Sequence, residues 1–227
     1  MDIKKTIILA SASPRRKEIM EKLGFKFVVK VSGCEEITKE SEPGKIVVEL
    51  SKIKAIDVAK KYAGTFEIVV GADTVVAHKG CIMGKPKDAD AAFSMIKSYA
   101  GDIHKVYTGV SVVIPCKDDT EKLRILESIE KFKAASNDFY GIENLKTDLT
   151  YESVIVSYSV YTDVHVVPMN DTEIERYATS GEPLDKAGAY AIQGGFAPYI
   201  SSIQGDYYNV VGLPACSLYA LLKEVLI

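Results

Sequence analysis

The sequence has 227 residues, of which 47% are hydrophobic and 26% are charged, a composition typical of a globular protein with one domain or two lobes. The formal net charge of −3 gives no electrostatic basis for nucleic-acid binding, and no apolar run reaches the length of a membrane span. The 4 cysteines are widely spaced without a Cys-x-x-Cys pair, which argues against a zinc site. Because no signal peptide is recognisable, we expect free thiols in a reducing, cytoplasmic compartment.

The first informative segment is residues 7–20, which predicts a buried strand that runs directly into a helix. Its apolar start is typical of a strand, and Ser13 followed by Pro14 is typical of a helix N-terminus. The next three residues, Arg-Arg-Lys at 15–17, are cations in the first turn, where the helix dipole favours anions. This arrangement predicts either a phosphate site or an exposed basic turn paired with carboxylates.

A second segment is the apolar run at residues 68–76, which Asp73 and Thr74 interrupt. An unpaired carboxylate is costly to bury, so Asp73 needs an explanation. It either caps a turn at the end of the strand or is held for metal binding or general-base catalysis. The apolar residues on both sides favour the second interpretation.

Three lysines could add positive charge to such a phosphate site. The apolar spacing over 46–62 predicts a helix that carries Lys52 and Lys54, and on this pattern alone either is most simply a surface residue. Lys85 lies between a glycine and a proline, so a tight loop fixes its backbone. The sequence around Lys85 lacks the P-loop pattern.

Two polar segments contain the remaining candidates. Glu35 and Glu36 follow a predicted strand at 25–31, and they bear on function only if a phosphate site lies near, because Mg²⁺ bridges carboxylates and phosphates. Residues 180–195 are glycine-rich and polar, which is typical of a loop that carries a site. Within this loop, Gln193 is either a turn-stabilising amide or a group that reads the edge of a base.

The other elements predict a sheet flanked by helices. Strands are expected at 104–114, 154–167 and 198–203, and helices at 89–99, 172–179 and 215–226. We expect one domain over 1–227 with an insertion at about 116–153, which is charged, has one weak helix at 120–132 and is in part disordered or loosely packed. Residues 205–214 are expected to form a loop, a strand and a turn.

Five motifs, in this order and spacing along nearly the whole chain, together resemble the Maf family of nucleoside triphosphate pyrophosphatases. They are Ser-Ala-Ser-Pro-Arg-Arg at 11–16, Gly-Ala-Asp-Thr-Val-Val at 71–76, Gly-Lys-Pro at 84–86, Ser-Gly-Glu-Pro-Leu-Asp-Lys-Ala-Gly-Ala-Tyr-Ala-Ile-Gln-Gly at 180–194 and Asn-Val-Val-Gly-Leu-Pro at 209–214. Each motif is weak alone, but five in order are highly specific. Only the segment at about 116–153 has no counterpart in the pattern of that family.

The resemblance implies an α/β fold, with an elongated mixed β-sheet flanked by helices and two lobes around a central cleft, similar to the inosine triphosphatase superfamily. It implies hydrolysis of a nucleoside triphosphate to the monophosphate and pyrophosphate with Mg²⁺ or Mn²⁺. Pro-Arg-Arg and Gly-Ala-Asp-Thr resemble the branch that acts on dTTP and UTP. A homodimer is common among relatives. The link of some members to septum formation supplies an alternative, a nucleotide-binding regulator of cell division without significant catalysis.

Carried over by position, the resemblance implies a role for each site residue. Glu36 and Asp73 match the metal ligands, with Glu35 as the alternate register for Glu36, and Asp73 is also the expected base. The implied catalytic cations are Arg15, Arg16, Lys54 and Lys85, and the implied substrate-binding residues are Ser11, Ser13, Arg15, Arg16, Lys85 and Gln193. The residue patterns alone point to Arg15, Arg16, Asp73 and Lys85. The choices of Lys54 over Lys52 and of Gln193 rest on the resemblance.

Overall fold

A mixed β-sheet forms the centre of the protein in a computed structural model that describes residues 6–62 and 67–226, the side chains of 137–139 excepted. The strands are β1 (Ile7–Leu9), β2 (Phe27–Val29), β3 (Ile68–His78), β4 (Cys81–Met83), β5 (Ile103–Pro115), β6 (Ile142–Leu149), β7 (Ser153–Val166) and β8 (Ile200–Gln204). The helices are α1 (Pro14–Leu23), α2 (Pro43–Lys61), α3 (Ala89–Tyr99), α4 (Asp119–Phe139), α5 (Asp171–Ala178), α6 (Tyr207–Val211) and α7 (Ala215–Leu226). The expected α/β class is confirmed.

The sheet has the strand order β2-β1-β3-β5-β7-β6, with β4 paired to β3 and β8 paired to β7. β1 is parallel to β2 and β3, and the long strands β3, β5 and β7 pair in antiparallel fashion. On the edge of β3 opposite β5, β1 pairs with residues 68–70 and β4 pairs with residues 76–78. Residues 71–75 therefore lie at a gap between two neighbouring strands on one edge of β3.

Two hydrophobic clusters lie side by side on one face of the sheet and form the two lobes. The first cluster joins the start of the sheet to α1, α4 and α7, and Met20, Phe132 and Leu218 are among its fully buried members. The second joins the other end of the same strands to α3 and α5, around Tyr99 and Phe196. Even-numbered residues of β3 contribute to both clusters, as the alternation of side chains in a strand requires.

Helix α2 crosses the opposite face of the sheet at very close range. A Cβ atom on Gly109 would lie 2.1 Å from the Val47 carbonyl oxygen, and one on Gly71 would lie 2.4 Å from the Ser51 carbonyl oxygen. Only glycine allows the two backbones to approach so closely. Ser51 also shares a 2.8 Å hydrogen bond with Ser111 of β5. This contact fixes α2, and with it Lys54, against β3.

The expectation that part of residues 116–153 is disordered or loosely packed is wrong. This segment forms α4 and β6, and β6 pairs with β7 along most of its length. Ile125, Ile129 and Phe132 are at most 1% exposed within the first hydrophobic cluster. These scattered apolar residues recur at helical spacing on one face of α4, whose remaining surface is charged. That the segment is an insertion within one domain stays a prediction.

The expected strand within 205–214 is also wrong, because residues 207–211 form α6. Asp206 caps this helix by accepting a hydrogen bond from the Tyr208 amide at 2.7 Å. The helices expected at 89–99 and 215–226 are confirmed as α3 and α7. In the part of the chain that the structure describes, no helix has the length and apolar character needed to cross a membrane.

Candidate functional site

A cleft of about 450 Å³ lies at the gap along β3, between the two lobes. Its walls come from the N-terminus of α1, from α2 and β3, from the loop after β4, and from the segments at 185–193 and 210–212. Of the predicted residues, the cleft is lined by Ser13, Arg15, Arg16, Glu36, Lys54, Asp73, Lys85 and Gln193. Glu35 and Ser11 are not among the lining residues.

Asp73 lies in the middle of β3 rather than at a strand-end turn, and it is only 9% exposed. Its Oδ1 atom accepts a 2.7 Å hydrogen bond from the Lys54 ammonium. The same ammonium lies 2.8 Å from Glu36 Oε2. The buried carboxylate is therefore paired, as its burial requires, and the pairing brings Glu36 to the same point.

Lys54 and Lys52, which residue patterns alone did not distinguish, have different partners. The Lys54 side chain is 13% exposed and points into the cleft, because Lys54 lies on the face of α2 that packs against β3. Lys52 instead pairs with Asp148 of β6 at 2.6 Å and does not line the cleft. Both lysines are thus fixed by carboxylates, and only Lys54 belongs to the candidate site.

The arrangement of Glu36 and Asp73 fits a hard divalent cation that is shared with a phosphate ligand. Both carboxylates converge on one positive charge, the Lys54 ammonium. Within the described residues, no group of three or more His, Cys, Asp or Glu side chains is arranged to hold a metal by itself. Mg²⁺ is commonly bound by one or two carboxylates together with substrate phosphates, and these two residues supply that number.

Arg16 joins three parts of the fold rather than standing free in the cleft. Its guanidinium donates four hydrogen bonds, to the Gly212 carbonyl at 2.8 Å, to Ser11 Oγ at 3.2 Å, to the Ala72 carbonyl at 2.9 Å and to Thr74 Oγ1 at 3.0 Å. A guanidinium has five N–H donors, so one remains for a ligand. Burial lowers the pKa of Arg16, and the nearby Asp73 carboxylate partly opposes that shift.

The N-terminus of α1 offers one backbone donor to an anion. Pro14 has no N–H, the Arg16 amide donates to the Ser13 cap at 3.4 Å, and the Lys17 amide donates to the Ser13 carbonyl at 3.2 Å. The amide of Arg15 remains. The Arg15 side chain lines the cleft, and no described residue accepts a hydrogen bond from it. Arg15 is therefore the residue of this turn best placed to bind phosphate.

Two loops bring the remaining predicted residues to the cleft. Lys85 follows β4, and its neighbour Gly84 accepts a 3.0 Å hydrogen bond from the Gly188 amide. This bond ties the Lys85 loop to the polar segment at 180–195. Gln193 lies in that segment, is exposed, and lines the cleft together with Lys85. The polar loop therefore does carry part of the candidate site.

Comparison with known proteins agrees with this geometry. A family model described as Maf-like protein matches residues 6–144 and 139–225. The chain is 44% identical to a dTTP/UTP pyrophosphatase of Lachnoclostridium phytofermentans, with 96% of this chain and 94% of the relative covered. It is 41% identical to a dTTP/UTP pyrophosphatase of Agathobacter rectalis, with 96% and 97% covered. A third dTTP/UTP pyrophosphatase, from Thermoanaerobacter sp. strain X514, is 39% identical, with 96% and 95% covered.

The chain belongs to the Maf family. The family resemblance stated from the five motifs is thus confirmed, and so is the two-lobed α/β fold that it implies. The motifs, which are far apart along the Maf sequence, meet around the cleft because each contributes to one of its walls.

The Maf cleft also contains features that were not predicted as functional. Lys186 lies within the fourth motif, its side chain is 13% exposed, and it pairs with Asp185 in the cleft wall. In the sequence, the signal that could have identified Lys186 is its position beside the oppositely charged Asp185 in a glycine-rich loop. An apolar part of the wall is formed by Leu50, Ile82, Met83, Tyr190 and Ile192. Their sequence pattern does not separate them from core residues, because the same residue types fill the interior.

Proposed function

We propose that this chain hydrolyses dTTP and UTP to the nucleoside monophosphate and pyrophosphate. The observation that carries the proposal is the convergence of Asp73, Lys54 and Glu36 in a cleft that Arg15 also lines. A paired carboxylate next to free cations is suited to in-line attack of water on a phosphoryl group. The names of the relatives, which align with nearly the whole chain, supply the substrates.

The triphosphate is held by positive charge at the N-terminus of α1. Arg15 donates from its guanidinium and its backbone amide, and Arg16 adds the one N–H that it does not use within the fold. Lys85, which is exposed in the cleft, neutralises further phosphate charge. These donors are positioned before the substrate arrives, so little reorganisation is needed as negative charge moves toward the leaving pyrophosphate.

Glu36 and Asp73 are the residues that would hold Mg²⁺ or Mn²⁺, together with phosphate oxygens. Such an ion, when bound, withdraws negative charge from the phosphate oxygens and makes the phosphorus more electrophilic. Lys54 lies between the two carboxylates at 2.7 and 2.8 Å, so its ammonium is close enough to move toward a phosphate oxygen when another cation takes its place.

Asp73 is the base in this proposal. Its Oδ1 atom accepts from Lys54, and no described residue donates to its Oδ2 atom. Oδ2 can therefore accept a proton from a water molecule as that water attacks the α-phosphorus. Pyrophosphate then leaves, and no covalent intermediate with the protein forms.

Gln193 and Lys85 read the base. The Gln193 amide has both donors and an acceptor, so it can pair with the N3–H and O4 of uracil or thymine, whereas cytosine presents the reversed pattern. The apolar part of the cleft wall supports the base and sugar. We further propose that the protein acts as a cytoplasmic homodimer without nucleic-acid partners. Light scattering tests the dimer, for which twice 24.8 kDa, or about 50 kDa, is expected.

The experiment that tests the function is a pyrophosphate-release assay over dTTP, UTP, CTP, GTP and methylated nucleotides, with Mg²⁺, with Mn²⁺ and with EDTA. Release from dTTP and UTP that either metal supports and EDTA abolishes is the expected result. The absence of release from every nucleotide would overturn the proposal. If UTP still raised the melting temperature in that case, the protein would be a nucleotide-binding regulator instead.

A further inference from the structure

We propose that Tyr177 and Glu182 are positioning residues that hold the Gln193 loop and thereby set the preference for uracil and thymine. The proposal rests on the proposed function, in which Gln193 reads the base. We call the loop formed by residues 191–195 the Gln193 loop. Neither Tyr177 nor Glu182 is among the residues that line the cleft, so any effect of theirs on the base would pass through the Gln193 loop.

Two hydrogen bonds connect this pair to the two ends of the Gln193 loop, and a third joins the two side chains to each other. The Ala191 amide donates to the Tyr177 hydroxyl at 3.3 Å, and the Gly195 amide donates to Glu182 Oε2 at 2.9 Å. The Tyr177 hydroxyl in turn donates to Glu182 Oε1 at 2.7 Å. The two ends of the loop are therefore fixed by one connected pair of side chains.

The glycines of the Gln193 loop make room for this pair. A Cβ atom on Gly194 would lie 2.1 Å from Glu182 Oε1, and one on Gly195 would lie 3.4 Å from both Glu182 and the Tyr177 ring. A larger residue at 194 would thus displace the carboxylate that holds the loop. The glycines next to Gln193 allow the loop backbone to lie against Glu182.

The pair is itself anchored in the second hydrophobic cluster. Tyr177 is 5% exposed on α5, and its ring lies 5.1 Å from that of the fully buried Phe196. Burial and the hydrogen bond to the Glu182 carboxylate both raise the pKa of Tyr177, so its hydroxyl keeps the proton that it donates. The support of the loop thus comes from the rigid core of one lobe.

Gln193 depends on this support because its own side chain forms no hydrogen bond with any residue that the structure describes. Its side chain is exposed and lines the cleft, so the loop backbone sets the point from which the amide reaches the base. A group that is held in place discriminates between hydrogen-bonding patterns, whereas a mobile amide adapts to either. Loosening the loop should therefore weaken recognition of the base and leave the reacting phosphate unaffected.

The test is Tyr177→Phe, which removes only the hydroxyl that connects the two ends. We expect KM for UTP to rise about tenfold, kcat to stay within about threefold, and the preference for UTP over CTP to fall about tenfold, since one net hydrogen bond corresponds to roughly that factor. Binding of α,β-imido-UTP, measured by titration calorimetry, should weaken by the same factor. Glu182→Ala, as an independent variant, should give the same pattern.

Tyr199→Phe is the matched control, because the Tyr199 hydroxyl accepts a 2.9 Å hydrogen bond from Arg176 at the surface while its ring also packs on Phe196. It should behave like the wild type. Adding Tyr177→Phe to Gln193→Ala should give no further loss, because the pair acts through Gln193.

Either of two results would overturn the proposal. In the first, Tyr177→Phe keeps KM for UTP and the preference for UTP over CTP within twofold of the wild-type values. In the second, the loss in the double variant equals the product of the losses that Tyr177→Phe and Gln193→Ala cause alone. The calorimetric measurement needs no turnover, so it decides the role of Tyr177 even if the wild type releases no pyrophosphate. The absence of pyrophosphate release by the wild type would overturn the proposed function, not the role of Tyr177.

Discussion

At the scale of single residues, Asp73 combines a structural cost with the proposed role of base. The cost of burying its carboxylate is offset by the Lys54 ammonium, which lies 2.7 Å from Asp73 Oδ1. We predict that Asp73→Asn lowers kcat for UTP by about 100-fold or more, as for removal of a general base, while binding of α,β-imido-UTP stays within about threefold. Pyrophosphate release and calorimetry measure the two quantities.

Asp148→Asn provides the control for Asp73→Asn, because Asp148 also pairs with a lysine of α2, Lys52 at 2.6 Å, but lies outside the cleft. Its kcat should equal that of the wild type. Near-normal turnover in Asp73→Asn would show that Asp73 is not the base.

The two arginines of the first motif have different expected effects although they are adjacent. Arg16→Met removes the side-chain donor of the buried Ala72 carbonyl and leaves the Gly212 carbonyl with only a long 3.5 Å hydrogen bond from Thr74 Oγ1 among the described side-chain donors. We predict a loss of about 2–4 kcal/mol in the free energy of unfolding. Arg15→Met removes a side chain that forms no hydrogen bond with any described residue, so the free energy of unfolding should change by less than about 0.5 kcal/mol while KM rises. Urea denaturation and steady-state kinetics distinguish the two. Equal destabilisation by both substitutions would contradict the assignment.

At the scale of elements, the position of α2 determines where Lys54 lies. Gly109→Ala would place a methyl group 2.1 Å from the Val47 carbonyl oxygen and force α2 away from β5. We predict a loss of about 3 kcal/mol in the free energy of unfolding, the upper range for overpacking, together with reduced activity because Lys54 moves away from Asp73. Gly33→Ala, whose Cβ would meet nothing within 4 Å, is the control for urea denaturation. Wild-type stability in Gly109→Ala would refute the role of this close contact.

Local elements could be predicted from the sequence where short-range rules decide them. The cap at Ser13 and the first-turn Pro14 predict the start of α1, and the structure confirms both. The strand within 205–214 was wrong because Val210 and Val211 suit a strand as well as a helix, and a local cap decided between them. Similarly, the order of α4 depends on burial of its apolar face against α7 and β7; the helical spacing of its apolar residues indicates such a face but not which elements cover it.

At the scale of the whole molecule, the site is less predictable than the elements, because pairing across the sheet creates it. Asp73 and the cations at 15 and 16 could be selected from local patterns, since each is unusual where it stands. Lys54 could not be separated from Lys52, because the difference is which face of α2 meets β3. The same holds for Tyr177 and Glu182, whose contacts with the Gln193 loop exist only after the second lobe has folded.

The stability of the whole molecule should also depend on pH through His104, a buried residue of the second lobe. His104 Nε2 lies 2.7 Å from the Tyr190 hydroxyl, and Nδ1 has no partner among the described residues. Burial, followed by the nearby His78, lowers the pKa of His104 to about 3, although the carboxylates of Asp102 and Asp163 partly oppose the shift. His104 is therefore neutral in the folded protein throughout the usual pH range.

The direction in which stability changes with pH follows from the number of protons bound in the folded and unfolded states. Between the usual histidine pKa of about 6.5 and the folded value of about 3, the unfolded chain binds a proton that the folded chain does not, so stability falls as the pH falls. We predict that the wild type loses about 1.5 kcal/mol more than His104→Gln between pH 6.5 and pH 5.0, a window in which the histidine of the unfolded chain becomes almost fully protonated. Urea denaturation of both proteins at the two pH values gives the difference, in which groups common to both cancel. Equal losses would mean that His104 is protonated in the fold, and its hydrogen bond to Tyr190 would then have the imidazolium as donor.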